Sequence, residues 1–234
     1  MKDDIAAAMR ALRESTGCAL TAHGPYYINL NSPETRIVEA SIRRILLTAR
    51  KGALCGCTSF TFHAAFMMGM DRRDVHRGVV SHLKHLQETI RSENLSIKMR
   101  PELTGKPSSW GSLDELFAMA EEIPGVEPCI DWAHLHARNG GAFNSRAEFR
   151  AVLKDYESVL GQEGLRDMHM HVGGIEYSPK GERCHLPLKE GDLKYKELLK
   201  AFREFDVRGV IVAETPVLEA DTLLLKRAYR QMKP

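Results

Sequence analysis

One phrase, repeated six times, constrains this chain more than anything else in it. A short apolar strand ends in a polar or titratable side chain, and an amphipathic helix follows. The strand segments are 19–23 (ALTAH), 57–63 (CTSFTFH), 96–102 (SIKMRPE), 127–131 (EPCID), 167–172 (DMHMHV) and 209–215 (GVIVAET). A helix over 2–16 precedes them, its stripe of Ile5, Met9 and Leu12 set at helical spacing. The helix after the first strand opens at Ser32-Pro33-Glu34, with Ser32 as N-cap and Pro33 at the first helical position, and stops at Gly52. A long amphipathic helix covers 71–94. Ser112-x-x-Glu115 and Ser145-x-x-Glu148 open two more, the second reaching about Leu160. A long polar loop follows the fifth strand, then helices over 192–205 and 217–232. Strands alternating with helices imply a parallel sheet of right-handed crossovers. An open doubly wound sheet and a (βα)-barrel both satisfy that pattern. No Gly-rich phosphate loop follows the first strand, and the long polar segments all lie after strands, as in a TIM-type (βα)-barrel with its site at the C-terminal face. Six βα units are visible, two short of a complete barrel.

Composition narrows the classes further. The 234 residues are enough for one sizeable domain, and 43% hydrophobic with 27% charged residues is ordinary for a globular chain. No apolar run approaches a membrane span, and the start (MKDDIAAAMRALREST) is not a secretory signal. The net charge of +2 neither demands nor excludes a polyanionic partner. Five cysteines at irregular spacing, with Cys55 and Cys57 too close for a zinc knuckle, read as a reduced, cytoplasmic protein.

Each of the six strands ends in a residue of metal-ligand type: His23, His63, Glu102, Asp131 with His134 just beyond, His169 with His171, and Glu214. His185 lies in the loop after the fifth strand. Any one of these has a bland explanation, a hydrogen-bonded core histidine or a carboxylate capping a helix. Recurrence at six of six strands is what points to a multinuclear metal site, with imidazole and carboxylate donors suited to zinc or manganese. His76, His82 and His85 read instead as a solvated helix face, and His136 as a loop residue of open role.

In order along the chain, these residues resemble endonuclease IV, the metal-dependent abasic-site endonucleases within the xylose-isomerase-like TIM barrels. Residues 23–30 (HGPYYINL) are similar to the family's H-x-P-Y-x-x-N-L, and Phe62-His63 to its strand-end F-H. Residues 102–106 (ELTGK) resemble E-N-T-A-G-K with one residue deleted, and 129–134 (CIDWAH) resemble C-I-D-x-x-H. His169 corresponds to the histidine of H-L-N-D, and 213–216 (AETP) to L-E-T-P. The resemblance implies a trinuclear zinc cluster. One ion would rest on His23, His63 and Glu102. A second would share Glu102 and take Asp131, His169 and Glu214. The third would rest on His134, His185 and an aspartate two residues before that histidine. That position is Arg183, a cation that binds no metal. Glu182 and His171, the latter on the same strand face as His169, are the compensating ligands, and a two-metal core is the firmer expectation.

The resemblance begins at the family's third strand, so this reading is of a single barrel domain over 1–234, short at its N-terminus through a misassigned start or a truncation. Such a barrel would have an open seam of exposed sheet edge and core.

The activity implied is hydrolysis of the phosphodiester bond 5′ to abasic sites in duplex DNA, in base-excision repair, with no nucleotide cofactor and no membrane. Glu102 would hold two zinc ions, and Glu214 and Asp131 would position the attacking hydroxide. Tyr26 matches the aromatic residue that enters the duplex, and Lys106 and Arg138, with Lys180 and Arg183, are the loop cations for phosphate contacts. A rival reading is a sugar isomerase or epimerase of the same superfamily with one or two divalent ions, for which Glu102, Asp131, His169 and Glu214 suffice. A third is a metal-binding remnant that does not cut.

Overall fold

The computed structural model describes residues 3–232, and contacts divide it into two compact units. Lys2, assigned above to the first helix, lies outside the described residues.

The first unit comprises Met1–Glu102 and Ser108–Pro128. It contains α1 (Asp3–Thr16), β1 (Thr21–His23), α2 (Thr35–Cys55), β2 (Ser59–Phe62), α3 (Arg72–Ser92), β3 (Lys98–Pro101) and α4 (Leu113–Glu122). The strands form a parallel sheet in the order β1-β2-β3, with Ala22 opposite Phe60 and Phe60 opposite Met99. All four residues of β2 are buried, as expected of a strand covered on both faces. Phe60 and Phe62 stack at 5.8 Å. Helix α3 turns Val75, Val79, Leu83, Leu86 and Ile90 inward, and the Ser112–Glu115 capping box of α4 forms as the sequence indicates.

The ends of α2 differ from expectation. Ser32 Oγ accepts the Glu34 N–H (3.2 Å), a local turn that competes with capping, so Glu34 is the N-cap and the helix begins at Thr35. The helix passes through Gly52 and ends at Gly56, whose φ of 80° is the left-handed C-cap. Gly52 answers a different need: a Cβ there would meet Ile97 Cδ1 at 2.7 Å.

The second unit comprises Leu103–Pro107 and Cys129–Pro234. It contains β4 (Cys129–Asp131), α5 (Trp132–Arg138), α6 (Arg146–Leu165), β5 (Met168–Val172), β6 (Gly174–Ser178), β7 (Gly181–Leu186), α7 (Tyr195–Glu204), β8 (Gly209–Ala213) and α8 (Glu219–Gln231). Its parallel sheet runs β4-β5-β8. Helix α6 continues past Leu160 to Leu165 across a non-helical Gly161. Trp132 is fully buried between Phe149 (5.7 Å) and Phe202 (5.5 Å).

The polar loop expected after the fifth strand is instead an antiparallel hairpin, β6-β7, turned at Pro179 and Lys180, with Gly181 opening β7 at φ 92°. Its register shifts between Glu176 and Tyr177: Glu176 opposes Cys184, but Tyr177 opposes Glu182. Arg183 is therefore the extra residue of a β-bulge. Among the described residues no helix is long and apolar enough to cross a membrane.

Candidate metal centre

In the first unit, β1, β2 and β3 bring His23, His63 and Glu102 together, with one donor atom from each lying within 4.8 Å of the others. The Glu102 carboxylate is fully buried, and its Oε2 lies 2.9 Å from His23 Nε2 and 3.5 Å from His63 Nε2. Thr61 Oγ1 donates to the same oxygen at 3.4 Å. His23 Nδ1 sits 2.6 Å from the Gly24 carbonyl, which can only accept, so Nδ1 carries the proton and Nε2 is the nitrogen turned to the carboxylate. Two acceptors meeting at 2.9 Å repel unless a positive charge lies with them, either a proton on the ring or a metal ion. Tyr26 stands over this cluster, its ring 5.7 Å from His23 and 6.2 Å from His63, and remains 75% exposed.

In the second unit, Asp131, His134, His185 and Glu214 form another such group, again within 4.8 Å. Asp131 caps α5: its Oδ1 accepts the His134 N–H at 2.7 Å. Its Oδ2 is buried, accepts no hydrogen bond, and faces Nδ1 of His134 (3.5 Å) and of His171 (3.7 Å). A desolvated carboxylate oxygen with no donor is costly unless a cation neutralises it, so this donor set fits a bound metal. His134 repeats the arrangement of His23. Its Nδ1–H donates to the Leu103 carbonyl (2.9 Å), the backbone contact that orients a metal-ligating histidine. His134 Nε2 lies 3.6 Å from Glu182 Oε2, and its ring centre is 5.3 Å from that of His185. His185 Nε2 lies 3.6 Å from Glu214 Oε2.

The two compensating residues offered by the sequence, His171 and Glu182, both lie at the clusters. His171, rather than His169, is the β5 histidine that meets the carboxylates, with Nδ1 3.2 Å from Glu214 Oε1. His169 groups with Cys129 and His171. Glu182 supplies the carboxylate beside His134, because the bulge at Arg183 puts Glu182 and His185 on one face despite their three-residue separation. Arg183 turns away to Glu176 (2.6 Å), and Cys184 donates to the same carboxylate, which pushes its thiol pKa up.

The expected phosphate contacts divide. Lys106 and Lys180 are exposed. The Arg138 Nη1 is engaged with the Thr104 carbonyl and hydroxyl and the Lys106 carbonyl (3.1, 2.9 and 2.6 Å), so it fastens the 103–107 loop. His136 is fully buried, donating Nδ1–H to the Ala142 carbonyl (2.8 Å) and setting Nε2 2.9 Å from Asp192. His76 is not solvated as expected: its Nδ1 accepts from the Trp110 indole at 3.2 Å and its Nε2 faces Glu122. Two glycines escape notice in the sequence. Gly105 lies against Glu182, where a Cβ would come within 2.6 Å of the Glu182 Cβ, and a Cβ at Gly173 would collide with the Glu214 carbonyl. Gly105 lies inside the 102–106 motif and Gly173 just after β5, but nothing in the sequence marks these close approaches.

An uncharacterized protein of Methanocaldococcus jannaschii is 38% identical over 232 residues, 99% of this chain and 84% of the relative. A probable endonuclease 4 of Akkermansia muciniphila is 25% identical over 98% of this chain and 83% of its own. Endonuclease IV from Thermus thermophilus has the same fold, with a TM-score of 0.74 at 20% identity over 99% of this chain and 83% of that one. A D-tagatose 3-epimerase-like protein also scores 0.74, at 16% identity over 97% and 81%. Residues 1–232 match the AP endonuclease 2 family, described as a xylose isomerase-like TIM barrel, and the chain belongs to that family.

Proposed function

We propose that this protein is a metal-dependent phosphodiesterase that cuts duplex DNA on the 5′ side of abasic sites. The observation that carries the reading is the nitrogen-rich chemistry of the donor clusters. His23, His63, His134 and His185 come in addition to the carboxylates and single histidine that a sugar-isomerising site needs, and two of them have Nδ1–H committed to a backbone carbonyl. Zinc ions bound by these donors would lower the pKa of a coordinated water toward neutrality and neutralise charge on the phosphate.

The chain's own residues do the rest. Thr61 and His23 hold the Glu102 carboxylate in one rotamer. The cap bond from the His134 N–H to Asp131 Oδ1 fixes Oδ2 toward the imidazoles. Glu214 is oriented by His171 and His185. Tyr26, exposed above its histidines, offers an aromatic face to an unstacked nucleotide, and exposed Lys106 a charge to the DNA backbone.

The test is metal content of the purified protein, measured alongside incision of a duplex carrying one abasic site. Near-stoichiometric zinc and a cut 5′ to the lesion are expected. Glu102→Gln should lower the incision rate by at least about 100-fold, the scale of losing one charged group that organises a transition state. Bound metal without incision would refute the nuclease reading in favour of a sugar-modifying enzyme or a non-cutting remnant. A folded protein that binds no metal would refute the site itself.

A further inference from the structure

Strands β4 and β5 carry donors on two successive rungs of the same sheet face. Asp131 is paired with His171, and one pleat deeper Cys129 is paired with His169. Rungs two residues apart are about 6.6 Å apart along the strands, and their side chains point the same way. The upper rung belongs to the carboxylate cluster. The lower contains no carboxylate. Its Cys129 Sγ and a nitrogen of His169 lie within 4.8 Å of each other and of a nitrogen of His171 on the rung above, and the two imidazoles meet edge to face at 5.1 Å. Cys129 is fully buried, and His169 and His171 are each 2% exposed.

We propose that Cys129, His169 and His171 form a further, sulfur-containing zinc site beneath the carboxylate cluster, with which it shares His171. One thiolate and two imidazoles are a donor set for zinc, whereas magnesium, calcium and manganese prefer oxygen. Binding replaces the S–H proton of Cys129 by the ion and releases that proton to solvent. A metal there ties β4 to β5 and fixes the ring of His171, the histidine whose Nδ1 faces Asp131 and Glu214. The site is independent of the nuclease reading, because it needs neither DNA nor turnover.

The probe is the metal alone on the full chain. Zinc-loaded wild-type protein should show a Zn–S distance of about 2.3 Å by X-ray absorption. The cobalt-substituted protein should show a thiolate-to-cobalt charge-transfer band in the near ultraviolet. Both signals should persist in Glu102→Gln and in Cys184→Ser and vanish in Cys129→Ser, which should also bind one metal equivalent fewer. Absence of the sulfur signal from the wild type would overturn the proposal without reference to any variant's folding. Its survival in Cys129→Ser would overturn it equally. Loss of incision in Glu102→Gln with the sulfur signal intact separates the two sites.

Discussion

The bulge in β7 makes a prediction that the linear motif does not. The pairing of Tyr177 with Glu182 and of Glu176 with Cys184 makes Arg183 the unpaired residue and turns Glu182 toward His134. Glu182→Gln keeps the side chain's volume against Gly105 and removes only its charge. Loss of an outer partner to a metal ligand costs about 10- to 100-fold in affinity, so on the proposed function zinc held at His134 should bind about 1.4 to 2.7 kcal/mol more weakly. Arg183→Asp installs an aspartate two residues before His185, where the family pattern has one. On the bulge it should not restore a ligand. It gives up an ion pair whose partners are 63% and 44% exposed, worth at most about 1 kcal/mol of stability, and sets two carboxylates side by side. Competition of zinc against a chromophoric chelator, run on wild type and both variants, measures each affinity. Tighter zinc binding by Arg183→Asp, or unchanged binding by Glu182→Gln, would refute the argument from the bulge.

Asp192 accepts hydrogen bonds from Tyr177 (2.8 Å) and faces His136 (2.9 Å). Burial pushes its carboxyl pKa upward, but those two partners more than offset it and hold the group below its ordinary 3.8. Its contribution to stability is therefore complete above that ordinary value and lost as pH falls through the lower folded one. In urea titrations across the acid range, Asp192→Asn should be less stable than wild type at neutral pH, with the gap closing in acid; a gap independent of pH would contradict this sign. Gly173→Ala should destabilise the second unit by about 1 to 3 kcal/mol, the cost of forcing a methyl against backbone, here the Glu214 carbonyl. A thermal midpoint equal to wild type would show that the backbone there yields freely.

The strands are legible because each buries a run of apolar residues and stops at a polar one, a pattern local to five or six positions. All six are present, beginning within about two residues of expectation. The features that differ from expectation depend on contacts from elsewhere in the chain. Gly52 has the look of a helix stop because glycine usually is one, but Ile97 packs against its missing side chain. The hairpin has the look of a loop because β6 and β7 are short and polar, though Pro179 between them and Gly181 at the start of β7 are turn-type residues.

The site shows the same division at finer grain. Which residue types end the strands is written in the sequence, but which atom of each faces which partner is not. His169 and His171 share a strand face, so periodicity cannot choose between them. The choice is made by register, since Asp131 lies opposite His171 and Cys129 opposite His169. A two-residue slip one way would set Asp131 opposite His169, and the same slip the other way would set Cys129 opposite His171. The roles of His23 and His134 are likewise set by backbone carbonyls, at Gly24 and Leu103, that no side-chain motif encodes. In each case the carbonyl accepts a hydrogen bond from Nδ1–H and leaves Nε2 facing an anion. At His23 the anion is only 2.9 Å from Nε2, and at His134 it is 3.6 Å away, so the backbone fixes the ring's orientation while the side chains set how closely an anion approaches.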